Sequence, residues 1–181
     1  MAVFIEKEKV KRSINIPEDL KESPCEILEK DFKSIGGLPI KGGWGYTREE
    51  AVILIDKHPL HIDYLEIQKI FVQKRTLEEL IIFRPEGQTF NGIEWVKLSQ
   101  ALIDYDGRKF DHLEYEISGF MDEDWVFLEN DYRIHDSFKN DIAGKTKHLE
   151  AREERIVKFH TDFWFDISKF LPPKKIFGRQ T

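Results

Sequence analysis

Polar and apolar residues alternate with period two in two stretches of the chain, and each predicts a strand covered on one side. In "HLEYEIS", Leu113, Tyr115 and Ile117 share one face, while His112, Glu114 and Glu116 share the other. In "VKFHTDFWFDIS", Val157, Phe159, Thr161, Phe163, Phe165 and Ile167 point one way, with His160, Asp162, Trp164 and Asp166 opposite. "AVFIE", "VKRSINI", "AVILI", "IQKIFVQK" and "LIIFR" supply further strand candidates; the last three are short apolar runs, a pattern that a buried helix shares.

Helical spacing is marked at two places by capping residues. "SPCEILEKDFKSIGG" carries Ser23 as N-cap, Pro24 at the first helical position, Glu26 to close a capping box, a stripe of Ile27, Leu28, Phe32 and Ile35, and Gly36 as the stop. "NGIEWVKLSQALIDYDG" repeats that grammar with Asn91, Glu94, the stripe Trp95, Leu98, Leu102 and Tyr105, and Gly107 as a left-handed exit. A third, polar helix is expected from about Ser137 to Arg155, interrupted at Gly144 and peripheral or mobile. Strands mixed with a few helices, without regular βαβ alternation, predict an α+β fold: a largely antiparallel sheet with two well-capped helices packed on one face. The expected organisation is one domain over 1–171 and a basic C-terminal tail over 172–181, opened by two prolines.

Between these elements lies "GGWGYTREEAVIL", part of a stretch from Gly36 to Thr47 that holds five glycines. No Gly-Lys-Ser/Thr follows, and the strand-turn-helix order of a dinucleotide fingerprint is missing, so the phosphate reading is weak. The favoured reading is a long turn that needs positive φ angles, its aromatics folded back on the core. A ligand contact there would use Trp44 and Tyr46 as stacking faces beside Lys41 and Arg48. "TREEAVIL" at Thr47 and "TLEELIIF" at Thr76 echo each other, each readable as a capped turn feeding a strand.

Composition narrows the function classes. The aromatic share of 13% and hydrophobic share of 40% belong to a folding chain. No apolar stretch reaches bilayer-spanning length, and the start lacks a secretory core, so a soluble cytoplasmic protein is expected, without a membrane role. The single cysteine, Cys25, precludes an internal disulfide and a thiolate-rich metal site. Net charge −6 argues against nucleic acid as a partner. That charge is uneven: Asp104 to Asp141 holds twelve acids against four bases, whereas Ile142 onward holds five against nine. Solvated or mutually attracting faces account for this pattern.

Six histidines raise the question of metal. His58, His61 and Asp63 share a loop segment, while His112, Glu114 and Glu116 on one strand and His160, Asp162 and Asp166 on the other form two polar faces. If those strands are neighbours, repulsion among the carboxylates is relieved by a divalent cation, which then activates water. A wet sheet face shows the same alternation, and the spacing matches no specific metal signature. Trp164 among these polar residues needs cover from a loop, a partner or a ligand. Cys25, ringed by Glu22, Glu26 and Glu29, is no evident nucleophile, and no serine elbow occurs. Arg75 and Arg84, near the ends of apolar segments, have the chemistry to clamp a carboxylate or phosphate, but as isolated arginines they read as surface ion-pair members.

These observations lead to a non-catalytic protein- or ligand-binding module, of a regulatory or immunity-like kind, using the acidic region and exposed aromatics including Trp164. The partner is a protein or small molecule, and an edge strand or the Trp164 face offers a route to a homodimer. The alternative is a metal-assisted hydrolase using the six His and carboxylate residues of the two strands. No cofactor is required by any motif; a divalent metal is the one candidate.

Overall fold

The two alternating stretches fold as neighbouring strands of a mostly antiparallel sheet, and the chain is an α+β protein. The computed structural model describes the backbone of 3–5 and residues 38–55, 63–82, 84 and 87–171. Its strands are β1 (Val3–Ile5), β2 (Ile40–Gly42), β3 (Val52–Leu54), β4 (Phe90–Tyr105), β5 (Arg108–Met121) and β6 (Val157–Asp166). They are ordered β2-β3-β6-β5-β4, with β1 also paired to β6. The helices described are α1 (Tyr64–Leu77), α2 (Asp122–Ile134) and α3 (Ile142–Arg155). β1 and β3 run parallel to β6, with Val3 opposite Val157 and Val52 opposite Phe165, while β2 and β3 are antiparallel. Contacts of Arg108 with Asp166 and of His112 with Asp162 run in opposite numerical senses, as antiparallel β5 and β6 require.

The described chain divides into two compact units. One contains 38–75, 99–114 and 162–171 within its described parts. In it α1 buries Ile67, Gln68, Phe71, Val72 and Arg75, a helical stripe that lies against the odd-numbered face of β6. Phe71 meets Phe165 edge to face at 5.7 Å. Asp111, on the odd-numbered face of β5, is buried and accepts bonds from Gln68 and Gln100 at 3.0 and 2.7 Å. Asp63 precedes α1, its carboxylate accepting the Leu65 N–H and its carbonyl those of Glu66 and Ile67.

In the other unit, which includes 76–98 and 115–161, the core is formed by Leu80, Phe90, Ile117, Phe120, Leu128, Phe138 and Phe159. Asp122, Glu123 and Asp124 place three acids in the first turn of α2, where the helix dipole favours them. Thr89 and Asn91 donate to Asp122 at 2.7 and 2.6 Å and tie that end to β4. Asp141 caps α3 by accepting the Gly144 N–H at 2.8 Å. Gly144 does not interrupt this helix: the Asp141 carboxylate occupies the place where a Cβ would sit. Asp141→Ala is expected to lower stability by about 1 kcal/mol, read as a shift of the urea midpoint with unchanged slope.

Four sequence expectations are corrected. The helix expected from Asn91 is the edge strand β4, and Asp106 (φ 48°) and Gly107 (φ 71°) form the tight turn leading into β5. "IQKIFVQK" lies in α1 and "LIIFR" begins in a π-helical turn, Glu78–Ile82, so neither is a strand. The echo is also unequal. Thr47 accepts the Glu50 N–H before β3, whereas Thr76 is a buried residue of α1. The expected helix at 23–36, "VKRSINI", Cys25, His58, His61 and the 172–181 tail lie outside the described residues.

Candidate metal centre

Alternation sends His112 and Glu114 of β5 to one face, and antiparallel pairing brings Asp162 of β6 beside them. One ligand atom from each of the three lies within 4.8 Å of the others, a triad able to hold a metal ion. His112 Nε2 and Asp162 Oδ1 are 3.1 Å apart. Two ligands at the tetrahedral angle around an ion, each about 2.1 Å from it, stand roughly 3.4 Å apart, so this edge would open by a few tenths of an ångström on binding zinc. All three residues are half-buried or buried, which limits competition from bulk water without sealing the site.

Neighbouring groups hold each side chain. Trp164 stacks on the His112 ring at 4.2 Å with 21° between planes, and Phe110 meets Trp164 edge to face at 6.5 Å. These rings are the cover that a large aromatic on a polar face requires. Ser99 of β4 donates to Glu114 Oε2 at 2.8 Å. Arg75 Nη2 donates to the Asp162 carbonyl at 2.8 Å, anchoring the backbone that carries the carboxylate. Such outer partners orient metal ligands and limit their motion.

The other residues expected at a metal face are placed differently. Asp166 accepts from Arg108 and Ser168; burial raises its pKa, but the Ser168 and Arg108 bonds outweigh that and hold the carboxyl below its usual value. Glu116 and His160 belong to the second unit, where His160 Nε2 lies 3.3 Å from Glu116 and Lys158 Nζ 3.6 Å from it. Three of the six expected ligands thus converge.

The glycine-rich loop has a structural role. Gly45 is bonded through its N–H to Glu50 and through its carbonyl to the Trp164 N–H, at 2.8 and 2.9 Å, and its φ is +73°. Arg75, read from the sequence as a surface residue, is fully buried. Its Nη1 donates to the Trp44 carbonyl at 2.9 Å, and its guanidinium lies 4.3 Å from the Tyr46 ring centre and 3.5 Å from that of Phe163. Tyr46 and the Trp44 backbone therefore engage the protein's own arginine. Lys41 is exposed, and Arg48 pairs with Glu49 and lies over Tyr105. Ser99 and Arg75 were not expected as supports of the triad. For Arg75 a signal existed, because positions 68, 71, 72 and 75 follow helical spacing through polar and apolar residues alike.

Comparison with protein-family models, curated proteins and solved structures gives no match, so the functional reading rests on this geometry. Among the described residues, no helix is long and apolar enough to cross a membrane.

Proposed function

We propose that the protein is a divalent-metal-binding module with His112, Glu114 and Asp162 as its protein ligands. The observation that carries this reading is the convergence of those three ligand atoms within 4.8 Å. One imidazole and two carboxylates suit Zn²⁺ or Mn²⁺ better than Mg²⁺ or Ca²⁺, which favour all-oxygen sets. Three protein ligands leave positions for water or for an oxygen group of a partner, so the ion would serve as the point of attachment.

The test is the unfolding midpoint of EDTA-treated protein titrated with Zn²⁺, Mn²⁺, Mg²⁺ and Ca²⁺. Zn²⁺ or Mn²⁺ should raise it saturably, by the equivalent of about 2.7 kcal/mol at one hundred times Kd. Asp162→Asn, which keeps the backbone carbonyl that Arg75 holds, should remove the rise. A flat response to all four ions would end the proposal.

A metal-assisted hydrolase is the second reading, favoured by the same count of three protein ligands, since catalytic zinc sites keep a position for water. Turnover of an activated ester or phosphodiester by the Zn²⁺-loaded protein, lost in Asp162→Asn, would support it.

A further inference from the structure

A cleft of about 480 Å³ opens beside α2 and α3, within the range that holds small molecules. Trp125, Leu128 and Tyr132 of α2 line it, together with Phe138 and His148. Three of them are joined by ring contacts: Phe138 and His148 centres are 5.2 Å apart, Tyr132 and His148 centres 5.8 Å, and Tyr132 and Phe138 centres 6.2 Å. Flat apolar walls of this kind suit a planar, largely apolar body.

Its charges indicate the rest of the ligand. Arg152 and Lys145 both line the cleft. Arg152 is half-buried, with its guanidinium 4.8 Å from the Phe120 ring centre, and neither Arg152 nor Lys145 forms an ion pair with a carboxylate among the described residues. A partly desolvated guanidinium without a counter-ion is a receptor for an anion. Exposed Glu129 also lines the cleft, so two cations face one carboxylate, a balance that favours a monoanion. His148 Nδ1 is held by Asp131 Oδ2 at 2.6 Å, which orients the ring, and Nε2 makes no hydrogen bond to a described residue. That nitrogen is left able to make a polar contact with a ligand.

We propose that this cleft binds a small aromatic carboxylate, its ring against Trp125, Tyr132 and Phe138 and its anionic group met by Arg152 and Lys145. The site is independent of the metal triad, and EDTA-treated protein keeps the two proposals separable. The probe is 2-naphthoate, compared by calorimetry with the neutral isostere 2-naphthamide. Naphthoate should bind saturably and about tenfold more tightly than the amide. Arg152→Gln should bring naphthoate affinity down to that of the amide. Lys145→Gln, an exposed change, gives a second reading of charge recognition if Arg152→Gln does not fold. Absence of saturable naphthoate binding, equal affinity for acid and amide, or affinity unaffected by removing the cations would overturn the proposal.

Discussion

Arg75→Ala is expected to lower stability by about 3–5 kcal/mol, the largest loss of any single change considered. The side chain is fully buried, donating to the carbonyls of Trp44 and Asp162 and lying against the rings of Phe163 and Tyr46. Truncation removes charge-assisted bonds from two carbonyls and leaves a cavity among the rings. The alkyl stem also contributes packing that alanine does not replace. Arg75→Lys should fall between, because a single ammonium lacks the planar fork that reaches both carbonyls. Urea unfolding of the three proteins measures this, and a loss below about 1 kcal/mol for the alanine variant would mean that the arginine does not hold the loop to β6.

Gly42→Ala is expected to cost about 2–4 kcal/mol, from a left-handed backbone and a collision together. Gly42 has φ +91°, and a Cβ there would stand 2.5 Å from the Ala51 carbonyl oxygen and 3.3 Å from Ile53 Cγ1. It cannot move aside cheaply, because Gly42 is paired with Val52 in the β2–β3 register. Gly87 provides the control: its φ is +78°, yet no atom of the described residues lies within 4 Å of where its Cβ would be. Gly87→Ala should therefore show only the backbone share, about 1–2 kcal/mol. Equal losses at the two glycines would remove the collision from the explanation.

The sheet was legible where burial respects alternation. Leu113, Tyr115 and Ile117 of β5 and Phe159, Phe163 and Phe165 of β6 keep period two, so both strands and the orientation of His112, Glu114 and Asp162 could be read from the sequence, although Phe110 and Phe120 break the pattern at the ends of β5. β4 was not legible, because Val96, Leu98, Leu102 and Tyr105 are all exposed on this edge strand and burial imposes no period on them. Its spacing then mimicked a capped helix, although the Asp106-Gly107 pair is a strong hairpin signal. α1 was hidden for the opposite reason. Gln68, Arg75 and Thr76 occupy buried positions, so the apolar residues alone do not trace the helical stripe. α2 was not expected from the sequence, although Asp122, Glu123 and Asp124 ahead of Trp125 and Leu128 form a helix-start signal.

The candidate site was half legible for a related reason. Strand direction of each side chain follows from sequence, but which carboxylates meet depends on register. Asp166 lies on the same face of β6 as Asp162, yet Arg108 and Ser168 engage it. The support from Arg75 and Ser99 joins residues distant in the chain, which no local pattern records.

The most direct test of the central claim is a long-range ¹H–¹⁵N spectrum of the histidine side chains during Zn²⁺ titration. The metal-binding reading expects His112 Nε2, the atom beside Asp162, to move to a metal-bound shift at one equivalent and to stay unchanged in Asp162→Asn. A His112 signal that never moves, or a Zn²⁺ response confined to other histidines, would contradict it.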